Sequence, residues 1–179
     1  MKENLQKALL TFTKRTLPVD YCFVCFDTDA DADKTRAAIN AFDEIFTKSG
    51  GQFNYKLFVM ERCFETWLLG NRQAYNSSSS SEKFRPFMQF YDVALRDPEK
   101  MNAPAGRNIS KYHLQYLQEM LRNAQNKKNY SKHSPMAVSD KDYYQELHSR
   151  IIDTSDLCSF RDFICFLESI DTAKTIPYD

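Results

Sequence analysis

Glycine is scarce in this chain of 179 residues, and that scarcity excludes a large group of nucleotide-binding proteins. The phosphate-binding loops GxGxxG and GxxxxGK[ST] need glycines at fixed, short spacings so that the backbone can approach a phosphate. The chain has four glycines, and their positions give neither spacing: Gly50, Gly51, Gly70 and Gly106. Both glycine-rich loops are therefore excluded.

Long apolar runs and excess charge are also missing. No apolar run approaches the roughly 20 residues that span a bilayer, and residues 1–15 lack the features of a signal peptide. These absences predict a cytoplasmic protein without a membrane partner. The chain carries 24 basic and 24 acidic side chains, so a nucleic acid would have to bind a local basic patch.

The chain has five cysteines, an odd number that favours a reduced compartment in the absence of a secretory signal. Cys22 and Cys25 have C-x-x-C spacing, but they lie in an apolar run that is typical of a strand. Side chains three apart on a strand point to opposite faces. We therefore interpret both thiols as core residues and not as a metal or disulfide pair.

The first part of the chain has the pattern of a βαβ unit after an N-terminal helix. Helical periodicity predicts helices over 3–15, 34–48 and 63–69, and apolar runs predict strands over 21–26 and 54–60. Strands joined through a helix are parallel. Their carboxyl ends then share one edge of the sheet, where open α/β sheets bind ligands.

After Tyr75 the sequence changes character. A serine-rich connection leads to a predominantly helical part, with helices predicted over 83–95, 111–123, 140–152 and 160–169. The predicted fold class is thus α/β, with a small parallel sheet and a helical C-terminal extension. The predicted division is 1–75 for the α/β part, 76–82 for the linker and 83–179 for the extension.

Four aspartates directly follow the first predicted strand: Asp27, Asp29, Asp31 and Asp33. Clustered carboxylates repel each other unless a cation or solvent compensates their charge. Oxygen ligands suit Mg²⁺, Mn²⁺ or Ca²⁺ better than zinc. The alternative is structural, because Asp31 or Asp33 can cap the following helix and the others can line a solvated turn.

Two known motifs that contain D-x-D fit poorly. An EF-hand loop that begins at Asp27 would have Ala32 in place of its glycine and Ala38 in place of its final glutamate. A haloacid-dehalogenase-like phosphatase has threonine where this chain has Asp31, and its later lysine and Gly-Asp motifs are not evident.

A third pattern covers more of the chain. Phe26-Asp-Thr-Asp29 follows the first strand, and Cys63-Phe-Glu-Thr-Trp-Leu-Leu69 follows the second. Together they resemble the TOPRIM-like proteins, in the branch that contains RloB-type proteins and relatives of OLD-family nucleases. The resemblance continues more weakly through Asp97-Pro98-Glu99, Tyr130-Ser-Lys132 and residues 159–163.

The resemblance implies a function and a set of site residues. It implies a nuclease, or a nuclease-related subunit of a bacterial or phage defence system, that acts on DNA or RNA with Mg²⁺ or Mn²⁺. Asp27 and Asp29 would bind the metal, with Glu65 or Glu61 completing or orienting the site. A metal held there neutralises charge on a phosphodiester as it is cleaved.

One departure supports an alternative hypothesis. TOPRIM domains begin with a strand that ends in a glutamate, well before D-x-D, and residues 1–20 here have the pattern of a single helix. The chain would then be a shortened form, or that strand would come from another chain. The alternative is a non-catalytic interaction protein that binds a partner protein or forms a homo-oligomer.

A basic stretch between the later helices is a candidate nucleic-acid contact. It contains Tyr130 and four cations that we predict as possible phosphate contacts: Arg122, Lys127, Lys128 and Lys132. An exposed loop without a ligand explains the same composition. His113 and His148 lack metal-ligand spacing, so surface or capping roles are predicted for them.

Overall fold

The computed structural model describes residue 7 and residues 21–28, 31–48, 54–60 and 62–174. Within these ranges the protein is a mixed α/β chain with a small parallel sheet and several helices. The strands are β1 (Tyr21–Asp27) and β2 (Asn54–Met60). The helices are α1 (Ala32–Lys48), α2 (Phe64–Leu68), α3 (Arg85–Phe90), α4 (Ile109–Asn123), α5 (Lys141–Asp153) and α6 (Cys158–Lys174).

The two strands pair in parallel, which confirms the βαβ prediction. Tyr21 lies opposite Asn54 at one end, and Asp27 lies opposite Met60 at the other. The N–H of Thr28 donates to the carbonyl oxygen of Met60 at 3.2 Å. The carboxyl ends of β1 and β2 therefore coincide, and they form the edge that the sequence predicts for a ligand.

The sheet packs between α1 and α6. On one face, the ring of Phe26 lies 5.1 Å from that of Phe42 in α1. On the other face, Phe58 lies 5.2 Å from Phe163 and 5.2 Å from Phe166, both in α6. Helix α6 thus joins the sheet to the helical part of the chain.

The C-x-x-C pair divides between these two faces. Cys22 packs against the α1 side, whereas Cys25 is exposed on the other. The predicted separation of the two thiols is confirmed, since the alternating burial along β1 puts them on opposite faces. The core assignment of Cys25 is wrong, because its face of β1 is only partly covered by α6.

The helical part surrounds α2 and contains a buried arginine. Arg150 of α5 is 1% exposed. Its guanidinium donates to the carbonyl oxygens of Gly70 at 3.1 Å, Val93 at 2.7 Å and Arg96 at 2.9 Å, and to the carboxylate of Asp156 at 2.7 Å. Buried carbonyls need such donors, so this one side chain holds several loops in place.

Several helix bounds differ from prediction for local reasons. Helix α1 begins at Ala32 because Asp31 caps it: the N–H of Lys34 donates to Asp31 Oδ1 at 3.0 Å. The capping role predicted for Asp31 is thereby confirmed. Helix α3 ends at Phe90, since Tyr91 adopts an extended backbone and its hydroxyl donates to the carbonyl oxygen of Asp97 at 2.7 Å.

The remaining predictions concern the linker and the membrane. Within the predicted linker, Asn76 donates to the carbonyl oxygen of Asn123 at 3.2 Å, so this segment is tied to the end of α4. In the part of the chain that the structure describes, no helix has both the length and the apolar character to cross a membrane. The predicted helix over 3–15 lies outside the described residues apart from Lys7, which is helical.

Candidate functional site

Asp27 presents an exposed carboxylate at the carboxyl end of β1. Strand alternation puts its side chain on the face of Phe23 and Cys25, opposite Phe26 and Thr28. Its register partner is Met60, the last residue of β2. Asp29 and Glu61, which the sequence predicts as its neighbours in a metal site, lie outside the described residues.

Glu65 lies in a different environment, because it is only 1% exposed. The hydroxyl of Tyr130 donates to its Oε1 at 3.3 Å, and the ammonium of Lys132 lies 3.5 Å from the same oxygen. Its Oε2 is buried and has no hydrogen-bond partner among the described residues. A buried carboxylate oxygen without a partner is costly, so Oε2 has unused capacity to accept a hydrogen bond or a cation.

The groups around Glu65 favour neutral forms. Burial, followed by the nearby charge of Glu65, raises the pKa of Tyr130, so its phenol stays protonated and can donate. Burial also raises the pKa of the Cys63 thiol to about 11, so Cys63 is a poor nucleophile near neutral pH.

A second polar chain runs from Cys63 through Thr66 into the helical core. The hydroxyl of Thr66 lies 2.8 Å from Nδ1 of His113 and accepts from the N–H of Cys63 at 3.3 Å. His113 is fully buried. The surface or capping role predicted for His113 is therefore wrong, and the reason is its bond to a threonine on a distant segment.

A third network links α2 to the start of α6. The indole N–H of Trp67 donates to the hydroxyl of Ser159 at 2.8 Å. The N–H of Ser159 donates to Glu99 Oε2 at 3.2 Å, and its hydroxyl donates to Glu99 Oε1. Arg62 Nε donates to the carbonyl oxygen of Glu99 at 2.8 Å. Burial raises the pKa of Glu99, and the donors from Ser159 partly oppose that shift.

These contacts bring together segments that are far apart in the sequence. The segment 63–69 contacts Tyr130 and Lys132 through Glu65, and it contacts Ser159 through Trp67. Two of the weaker motif segments, around Tyr130 and Ser159, therefore meet at α2. Sequence reasoning did not predict these contacts. A signal for them existed, because all of these segments belong to the same family resemblance.

A cavity of about 910 Å³ opens beside the carboxyl edge, between α1, the loop before residue 100 and the start of α6. Its walls combine apolar side chains with hydroxyls, carboxylates and the cations Arg36 and Lys100. This volume is within the range of pockets that bind small molecules. Two of its carboxylates already accept hydrogen bonds, Asp97 from the N–H of Leu157 at 3.2 Å and Glu99 from Ser159.

The predicted metal ligands are only partly described. Within residues 21–28, 31–48, 54–60 and 62–174, no three His, Cys, Asp or Glu side chains lie close enough together to hold a metal ion. Asp27 and the open Oε2 of Glu65 have suitable chemistry for Mg²⁺, but they do not form a complete set of ligands. The metal site predicted here therefore depends on Asp29 and Glu61.

The predicted nucleic-acid contacts occupy different environments. Three of them are close to carboxylates: Arg122 pairs with Glu119, Lys128 with Asp140 and Lys132 with Glu65. Lys127 is exposed at a turn with φ of 39°. Tyr130 is buried, so it contributes to the core and not to an open surface.

Comparison with known proteins gives no match. No family model, no curated protein and no solved structure is significantly similar to this chain. The case for a TOPRIM-like site therefore rests on the residues and geometry described above.

Proposed function

We propose that this chain is a TOPRIM-like, Mg²⁺-dependent phosphodiesterase: a nuclease, or a nuclease-related subunit of an anti-phage defence system. The observation that carries the proposal is the coincidence of the carboxyl ends of β1 and β2. It brings the exposed Asp27 beside Met60, the residue that Glu61 follows in the sequence. Contacts from Tyr130 and Ser159, in two of the weaker motif segments, to α2 give further support.

In this proposal, Asp27, Asp29 and Glu61 hold the metal ion. Mg²⁺ bound there would neutralise the charge of a phosphodiester and favour attack by water. Glu65 orients the site from behind these ligands. Tyr130 and Lys132 hold its Oε1, and its Oε2 has no hydrogen-bond partner among the described residues. Fixing one oxygen of a carboxylate orients the other, which is the usual role of groups behind a metal site.

Calorimetry with Mg²⁺ and Mn²⁺, combined with cleavage assays on DNA and RNA, tests this proposal. We expect Asp27→Asn and Asp29→Asn each to abolish metal binding and to lower cleavage at least about 100-fold, because a lost metal ligand removes several kcal/mol of charge stabilisation. Asp142→Asn is the matched control, since Asp142 is also exposed but lies on α5. Cleavage that survives in both site variants would contradict the proposal.

The alternative is a non-catalytic interaction protein with the same scaffold. The observation that favours it is the exposed aromatic surface of β1, where Tyr21 is 39% and Phe23 46% exposed. An exposed apolar strand is a common contact surface for another chain. Folded protein that binds no metal, cleaves nothing and sediments as a stable oligomer or complex would support this alternative.

A further inference from the structure

In the first turn of α2, an apolar residue is exposed and a charged residue is buried, the reverse of the usual arrangement. Phe64 is 46% exposed, whereas its neighbour Glu65 is 1% exposed. An aromatic ring in water and a carboxylate in the interior are both unfavourable. Positions that break local rules are most often functional ones, so this reversal calls for an explanation beyond folding.

The reversed pair lies near the candidate site. Phe64 comes four residues after Met60, so the two Cα atoms are separated by at most about 14 Å. Lys132, whose ammonium is 3.5 Å from Glu65 Oε1, has a side chain that is 54% exposed. An aromatic ring and a cation therefore both reach solvent at this turn, near the end of β2 that lies beside Asp27.

The surroundings of Phe64 hold the ring without covering it. Its centroid lies 6.0 Å from that of Trp67 at an interplanar angle of 60°. Trp67 is 3% exposed and fixed by its bond to Ser159. A ring that packs on a buried neighbour and remains half exposed has a free face that can stack against a flat partner.

We propose that Phe64 and Lys132 together bind an unpaired nucleotide, so that the chain prefers single-stranded nucleic acid to duplex. The inference rests on the proposed function, whose substrate class it specifies. The ring of Phe64 stacks on the base and the ammonium of Lys132 contacts the phosphate. A paired and stacked base has both faces covered, which excludes duplex from this contact.

The ion pair with Glu65 leaves Lys132 available for this role. The Lys132 side chain is 54% exposed, and an ammonium has three donors. One donor can remain on Glu65 while another contacts a phosphate oxygen. Glu65 then sets the position of the cation and also reduces its attraction for anions that do not stack on Phe64.

The test measures binding separately from cleavage. Fluorescence anisotropy in EDTA compares an oligothymidylate of about 12 nucleotides, which is within the usual site sizes, with a blunt duplex of the same length. We expect tighter binding of the single strand, about tenfold weaker binding by Phe64→Leu and retained binding by Phe64→Trp. The matched control is Phe90→Leu, because Phe90 is 39% exposed but lies on α3.

The salt dependence tests the cation. We expect Lys132→Gln to lower the slope of log affinity against log salt by about 0.7, the value for one phosphate contact on a single strand. Lys132→Arg should keep the slope. Circular dichroism verifies that each variant remains folded.

The result that would overturn the inference is equal binding by wild type and Phe64→Leu, preference for duplex, or no binding of nucleic acid at all. The proposed function fails by other measurements: no binding of Mg²⁺, and no hydrolysis of a small phosphodiester that lacks a base. Single-strand binding without metal binding would leave the inference standing and refute the phosphodiesterase. Metal binding and hydrolysis by a protein that shows no preference for the single strand would refute the inference and leave the phosphodiesterase standing.

Discussion

The sheet region of this protein (β1, β2 and α1) and its helical region (α2 to α6) differ in the size of their buried cores. The described sheet region has a small core between β1 and α1, formed by Phe26, Ala38, Phe42, Ile45 and Phe46. Its strands leave Tyr21 and Phe23 exposed on the other face. The helical region has a larger continuous core that includes Trp67, Leu69, Phe84, Tyr116 and Leu157.

The difference shows which residues of the candidate site are held rigidly. Regions with few buried apolar contacts open locally at a lower free energy than well-packed ones. Asp27 belongs to the less well-packed region, and Glu65 belongs to the well-packed one. In a site made from both residues, Asp27 could change position at a low free-energy cost, whereas Glu65 would be held in place.

The largest expected effect is loss of the buried guanidinium in the helical region. Arg150→Met leaves Asp156 and the carbonyls of Gly70 and Val93 without a donor. We expect the free energy of unfolding to fall by about 3–5 kcal/mol, as when one partner of a buried pair is removed. Urea unfolding measures it, and Arg122→Met is the control because Arg122 is 49% exposed. Equal stability of the two variants would contradict the role assigned to Arg150.

A smaller effect separates the two cores. Phe42→Leu and Phe84→Leu make the same change at nearly fully buried positions, 2% and 0% exposed, in the sheet and helical regions. Each should cost about 1 kcal/mol. We expect hydrogen exchange to rise only in β1, β2 and α1 for Phe42→Leu, but throughout the molecule for Phe84→Leu. A uniform response to both changes would mean that the chain unfolds as one unit.

The smallest effect concerns the network that joins the regions. Burial raises the native pKa of Glu99 above its ordinary value of 4.5, so the native state holds this proton more tightly than the unfolded state. Glu99 therefore makes stability fall as pH rises from the ordinary value through the native pKa. We expect Glu99→Gln to flatten the stability profile in that window. Glu82→Gln, at an exposed position, should leave the profile unchanged, and a Glu99→Gln profile that matches the wild type through the window would refute the prediction.

Local sequence patterns were sufficient for the sheet region. The apolar runs over 21–26 and 54–60 and the helical periodicity between them predicted both strands, their parallel pairing and α1. The start of α1 differed by two residues because Asp31, and not a later aspartate, caps it. Apolar runs and helical periodicity depend on residues that are close in the chain, so a single sequence is enough to identify them.

The helical region and the candidate site depended on contacts that one sequence does not show. The burial of Glu65 follows from Tyr130 and Lys132, 65 or more positions away. The burial of His113 follows from Thr66, and the place of Arg150 follows from carbonyls on separate loops. Helix α3 was predicted too long because Tyr91 turns its hydroxyl towards Asp97. For Glu65, His113 and Arg150, a hydrogen bond between distant segments outweighs the local preference.

Helix α6 has a practical consequence for studying the molecule. The chain contains one tryptophan, Trp67. Its indole bonds to Ser159, and its ring stacks on Phe163 at a centroid distance of 5.6 Å. Its fluorescence is thus a native optical reporter of α6 docking: a red shift in emission would record water reaching the indole as α6 detaches, without any added label.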